Sequence, residues 1–253
     1  MNNRQLAIEL SNIGVRFSES SMGVISTHEL LFSDRQEFRF REVLDDFVST
    51  TGIKGRDYAD YTLSWSMERS TLVPSNIFGE SNPVDLFQLC YGKSIPTGQI
   101  DYNRIPEQGV VNIFEIADWV KSYVVTRFPR TIIQHEGSHL IRGLFAASTF
   151  KLHVLLVPYA TYFQLIMAKE NKLIYYSTFD YQEIEDVIYH LAFTLQQKEL
   201  MNTDGRLTIS RGIGSSTHFA EQLIERFKHF HDLRQLTVNV DPHFITNAQR
   251  LCV

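Results

Sequence analysis

The strongest constraint on the fold is an order of elements that occurs twice within 253 residues. Near the start, LAIEL, GVRFS and GVISTHELL read as three short strands, broken at Ser11-Asn12 and at the Ser/Met/Gly stretch before Gly23. A helix is expected next. Ser33 can cap it with Gln36 three residues on, and Phe40, Val43, Leu44, Phe47 and Val48 fall on one helical face before Gly52 stops it. After residue 150 the order repeats. KLHVLLV, TYFQLIMAK and KLIYYSTF read as strands joined at Pro158-Tyr159 and Glu170-Asn171. Asp180, with Glu183 three residues on, can cap a helix whose buried stripe is Ile184, Val187, Ile188, Leu191 and Leu195. A shift of about 147 residues lays one block over the other with almost no identity, so structure is duplicated rather than sequence.

The remainder extends this into an α/β fold. In the first half YTLSWSME is strand-like, Ser75 to Cys90 is mostly helical, GVVNIFEI is a strand and Ala117 to Arg127 a helix that ends before Pro129. TIIQ is a short strand before a helix from about Glu136 to Ala147. In the second half RLTISR is a strand, Ser216 to Phe227 a helix and LRQLTVNV a strand. The span 93–108, with its Gly, Pro and polar residues, reads as an irregular insertion. Two halves are expected, 1–149 carrying that insertion and 150–253.

Composition closes off several function classes. At 43% hydrophobic and 21% charged residues, with 18 Phe and 11 Tyr, the chain folds around a core. No run reaches the roughly 18 apolar residues of a membrane span, and the start lacks the pattern of a secretory leader. Cys90 and Cys252 are far apart, which argues against a disulfide framework or a thiolate zinc site and fits a cytoplasmic protein. The net charge is −5 and the pI about 6.0. The most basic stretch, Arg226, Lys228, His229, His231 and Arg234, is interrupted by acids and Phe, so a broad nucleic-acid-binding face is not expected.

His135-Glu136-Gly137-Ser138-His139 matches the H-E-x-x-H pattern of zinc peptidases, in which two His one helical turn apart bind the metal and the Glu polarises its water. Its setting points elsewhere. TIIQ reads as a short strand, so His135 and Glu136 fall at a helix start rather than mid-helix, Gly137 weakens that first turn, and Glu136 suits a helix N-terminus through the dipole. No third ligand stands out, and no metal is expected. His229-Phe230-His231 reads as solvated histidines rather than a metal pair. There is no G-x-S-x-G elbow for Ser/His/Asp catalysis, and no catalytic residue is assigned. Tyr175, Tyr176, Phe179 and Tyr181 read as core and rim packing.

TLVPSNIF, VNIFEIADWVKSYVVTRFP with the following HEGSHLIRGL, and LIYYSTFDYQEIEDVIYHLAFTLQQ, taken with the order of elements, resemble a bacterial family of domains of unknown function, family 3822. The resemblance covers nearly the whole chain and implies the actin-like ATPase fold: two RNase H-like halves, each opening with three antiparallel strands and a helix, across a cleft. In active actin-like proteins the first hairpin of each half wraps the phosphates. By that resemblance Glu9, Ser11 and Asn12 in IELSNIGVRF are candidate nucleotide contacts, although the same residues make a plain hairpin turn. LLVPYATYF, the matching second hairpin, has no carboxylate and no Gly, and Pro158 removes a donor. Gly212, Gly214 and Ser215, between a strand and a helix, are similar to the adenosine-side glycine turn. A dinucleotide-binding domain is ruled out by the roughly 40 residues left after Gly214.

The expectation is therefore a non-catalytic, cytoplasmic actin-like binding or scaffolding protein, a pseudo-ATPase that needs no cofactor and holds a protein partner. By analogy, some actin-like proteins of pilus assembly and cell division bind short partner segments. The alternative is a divergent ATP-binding protein or ATPase, taking ATP and Mg²⁺ at the six residues named above. An HEGSH zinc peptidase is third.

Overall fold

The computed structural model describes residues 4–33, 37–53, 58–80, 82–92, 96–147, 149, 151–230, 233 and 235–251. Gln36, His231, Arg234 and Cys252, all used in the sequence reading, lie outside the described residues. The chain divides into two compact units: Met1–His139 with Thr246–Val253, and Leu140–Ile245.

In the first unit β1 (Gln5–Ser11), β2 (Gly14–Ser21) and β3 (Val24–Leu31) form an antiparallel meander, followed by α1 (Glu37–Thr51). Strand β4 (Asp60–Ser66) returns parallel to β1. An inserted sheet follows, made of β5 (Ser70–Pro74), β6 (Ile100–Ile105) and β7 (Val110–Glu115) in the order β5-β7-β6, with α2 (Pro83–Tyr91) between β5 and β6. Helix α3 (Asp118–Arg127) and β8 (Ile132–His135) follow, giving the sheet order β3-β2-β1-β4-β8, and α4 (Glu136–Ala146) begins in this unit, its residues from Leu140 on being counted with the second.

Alternation decides which face of this sheet is dry. Leu6, Ile8, Leu10, Val15, Phe17, Leu63 and Trp65 point to one side and pack with Leu44 of α1 and Val120 and Val124 of α3. Each such side chain is worth about 1.5–3 kcal/mol when fully buried. The opposite side is polar. There Gln249 accepts a hydrogen bond from Thr62 Oγ1 at 2.9 Å and donates to the Ile8 carbonyl at 3.5 Å. Gln249 lies on α7 (Phe244–Arg250), the last helix.

The second unit repeats the plan. Strands β9 (Leu152–Pro158), β10 (Tyr162–Lys169) and β11 (Lys172–Asp180) form the meander, α5 (Ile184–Gln197) follows, and β12 (Gly205–Ile209), α6 (Phe219–Phe227) and β13 (Leu236–Val240) complete it. The order β11-β10-β9-β12-β13 matches that of the first unit. Leu152, Val154, Leu156, Phe163, Leu165 and Met167 pack with Val187, Ile188, Leu191 and Leu195 of α5. A shift that preserves facing must be even in a strand, and Leu6, Ile8 and Leu10 correspond to Leu152, Val154 and Leu156.

Four details differ from the sequence reading. The span read as mostly helical from Ser75 to Cys90 is helical only from Pro83, where Pro at the first turn starts α2. The insertion at 93–108 contains β6, with Ile100 and Ile105 buried at its two ends and the residues between them half-buried or exposed. Asp180 ends β11 instead of capping α5. Glu183 is the N-cap, and Asp186 Oδ2 accepts the N–H groups of Gln182 and Glu183 at 2.9 and 3.0 Å. Helix α6 begins at Phe219 rather than Ser216.

At Gly205 β12 lies close against β9: a Cβ there would lie 2.5 Å from the Leu152 carbonyl oxygen and 2.8 Å from its Cβ. Gly205→Ala is expected to destabilise the protein by about 1–3 kcal/mol in urea denaturation. An unchanged midpoint would mean that this strand contact is not close-packed.

Candidate functional site

The β1–β2 turn is built by Ser11. Its Oγ accepts the Ile13 N–H at 3.2 Å and donates to the Gly14 carbonyl at 3.3 Å, while Asn12 is exposed at the tip. This turn sets the register that pairs Glu9 with Arg16, and β3 adds Glu29 opposite Arg16. Ser64 and Gln134 extend the same row across β4 and β8, so one polar row crosses all five strands.

Within that row Arg16 Nη1 lies 3.0 Å from Glu9 Oε2, and Nη2 lies 2.9 Å from Glu29 Oε2. Glu9 and Arg16 are only 1% and 4% exposed. Burial alone would lower the Arg16 pKa, but Glu9 and Glu29 outweigh it and hold the guanidinium above its ordinary value. The Glu9 carboxylate of this first hairpin is thus paired with a cation of the chain itself. Arg16 and Glu29 were not picked out from sequence, although the hairpin register places Arg16 directly opposite Glu9.

The HEGSH stretch crosses the junction of β8 and α4, so His135 is the last residue of a strand and not part of a helical His pair. Its Nε2–H donates to the Met67 carbonyl at 3.0 Å. Its Nδ1 accepts the Gly137 N–H at 3.0 Å and lies 3.2 Å from Asn112 Nδ2. Asn103 Oδ1 accepts the His135 N–H at 2.8 Å and the Ser138 hydroxyl at 3.1 Å, and Ser66 donates to Glu136. Asn103 and Asn112 lie on β6 and β7, so the motif ties the inserted sheet to the five-stranded one. Burial depresses the His135 pKa to about 4, against a smaller upward pull from the Met67 carbonyl, and the ring is neutral with both nitrogens engaged. Among the described residues no group of three or more His, Cys, Asp or Glu is placed to hold a metal.

In the second unit the corresponding hairpin, Pro158 to Tyr162, is closed by aromatic packing. The rings of Tyr159 and Tyr162 stack at 4.4 Å with 11° between their planes. The Tyr159 N–H donates to the Tyr162 carbonyl at 2.8 Å, and Tyr181 Oη donates to the Tyr159 carbonyl at 2.6 Å. Pro158 has no N–H, and its carbonyl accepts the Gly212 N–H at 2.9 Å.

That last bond brings the glycine turn against the hairpin. A Cβ on Gly212 would collide with the Tyr159 ring and stand 2.8 Å from the Pro158 oxygen. Gly214 turns the chain with φ +75°, and Ser215 is buried, its N–H donating to the Gly212 carbonyl at 3.3 Å. The open side of Gly212 is filled by a tyrosine of the same unit. The hairpin holds no carboxylate that could orient Mg²⁺ or water, and Pro158 contributes no N–H. The six candidate residues form two clusters: Glu9, Ser11 and Asn12 in the first unit, and Gly212, Gly214 and Ser215 in the second.

Solved structures share this duplicated architecture. A protein of unknown function with an actin-like ATPase fold from Bacteroides thetaiotaomicron matches with a TM-score of 0.76 at 18% identity, covering 100% of this chain and 97% of the other. The PilM–PilN type IV pilus biogenesis complex gives 0.60 at 8% identity, with 98% of each chain covered. A ROK family glucokinase from Streptomyces griseus, in complex with glucose and AMPPNP, gives 0.51 at 8% identity with the same coverage. The protein therefore has the actin-like ATPase fold. It belongs to the family described as Protein of unknown function (DUF3822), whose model matches residues 1–230. No curated protein matches it in sequence.

The buried imidazole makes stability depend on pH. The unfolded chain protonates His135 near pH 6.5 and the folded chain only near pH 4. This contribution is therefore constant above 6.5 and falls by about 3 kcal/mol as pH drops through that window. His153, also lowered to about 4 by burial and by Arg206, adds a similar slope. In His135→Gln the pH dependence of unfolding free energy between 6.5 and 4 should lose about one proton's worth of slope. An unchanged slope would show that His135 titrates normally.

Proposed function

We propose that the protein is a non-catalytic actin-like binding or scaffolding module, a pseudo-ATPase of the cytoplasm that holds a protein partner without a cofactor. The observation that carries this reading is the Tyr159 ring set against Gly212, where a functional glycine turn would leave room for a ligand. The Glu9–Arg16 pair supports it from the first unit, since a cation of the chain already satisfies the acid. The likeness to the PilM–PilN complex supports a polypeptide partner. A net charge of −5 disfavours nucleic acid, and among the described residues no helix is long and apolar enough to cross a membrane.

Thermal unfolding with millimolar ATP–Mg²⁺ tests this. A genuine site saturated to about 100 times its Kd would add about 2.7 kcal/mol, several degrees in Tm. No shift is expected. A wild-type shift that disappears in Gly214→Trp would establish the ATP-binding alternative.

A further inference from the structure

We infer that the free edge of β13, with the apolar cavity beside it, receives an extended segment of a partner polypeptide, which adds a sixth strand to the second unit's sheet and seats one large apolar side chain in the cavity. This rests on the protein-partner reading above and names where and how such a partner is held.

The edge dictates the chemistry of the occupant. Strand β13 ends the sheet, paired only with β12 among the described residues. The Gln235 carbonyl and the Asp241 N–H both point to β12, accepting from Gly205 at 3.1 Å and donating to Ile209 at 2.9 Å. Alternation then turns the N–H and C=O groups of Leu236, Val238 and Val240 outward. A row of donors and acceptors repeating every second residue is complementary to one common ligand class, an extended backbone. Within the strand itself LTVNV carries no charge, no Pro and no bulge that would block pairing along this edge.

The cavity dictates what the segment carries. It measures about 180 Å³ and is lined by Leu207, Leu236 and Val238 from the sheet, Ile224 and Phe227 from α6, and Leu233. An apolar cavity of about 150 Å³ is known to hold benzene, so this one has room for a Phe, Leu or Met side chain. Lys228 at its rim is already paired with Glu225 at 2.5 Å, so the site calls for no charged group.

Edge and cavity belong to one device because the same residues form both. Leu236 and Val238 point their side chains into the cavity and their backbone groups to the free edge. A strand paired with β13 sits about 4.8 Å away with its facing side chains on that same side, beside α6. Pairing therefore delivers an alternate side chain to the cavity.

Selection of a phage-displayed library of random peptides about twelve residues long against the intact protein tests this, with binders measured by fluorescence anisotropy and hydrogen exchange. Binders should carry one large apolar residue in an extended segment and protect the amides of Leu236, Val238 and Val240. They should lose about tenfold or more in affinity with both Val240→Pro, which removes an outward donor and spares the β12 ladder, and Ile224→Trp, which fills the cavity. Circular dichroism establishes that each variant is folded, and exchange on the wild type stands without them. The proposal is overturned if no peptide binds more tightly than about 100 µM, if binders leave these amides unprotected, or if the edge is protected by a second copy in a concentration-dependent way. None of these outcomes depends on the nucleotide titration, which reads the glycine turn alone.

Discussion

The Tyr159 ring and the bare α-carbon of Gly212 are mutually dependent. Any side chain at 212 would collide with the ring, so glycine is needed there for the hairpin to close by packing. The ring in turn stacks on Tyr162, and the backbone beside it is held by Gly212 and Tyr181. A strand–glycine–helix turn whose sequence suggests an anion site is, in this geometry, the receptacle of an aromatic plug. The actin-like architecture is present, and at this contact the glycine turn serves the chain's own packing.

The first unit reaches a similar condition through charge. A carboxylate in a buried row needs compensation, and Arg16 supplies it between Glu9 and Glu29. Removing one partner would leave an uncompensated buried charge, so the pairing is structurally enforced. The HEGSH stretch follows the same logic with neutral groups. The Met67 carbonyl takes up the His135 Nε2, the Gly137 N–H and Asn112 of β7 its Nδ1, and Asn103 of β6 its backbone N–H, so the stretch holds the inserted sheet in place.

How much could be read from sequence depended on how local the determining interaction is. The two meanders and the helices after them were legible because alternation, hairpin turns and the stripe from Ile184 to Leu195 are encoded within a few residues of each other. Strand β6 was not, because IDYNRI shows no sustained apolar/polar alternation and its pairing with β7 makes it a strand. The bulk of Tyr159 and Tyr162 beside the turn was visible in LLVPYATYF. That Tyr159 fills the space at Gly212 depended on strand order in the second sheet, which local sequence does not express. HEGSH misleads for the same reason: its spacing is local, whereas Met67, Asn103 and Asn112, which explain it, come from three other segments.

The account stands on what occupies the space beside Gly212. A crystal structure grown with saturating AMPPNP and Mg²⁺ measures this directly. The account predicts the Tyr159 ring against Gly212, stacked on Tyr162, with no nucleotide density at the turn. A ring swung away from Gly212, with phosphates bound between the hairpin and the glycine turn, would contradict it.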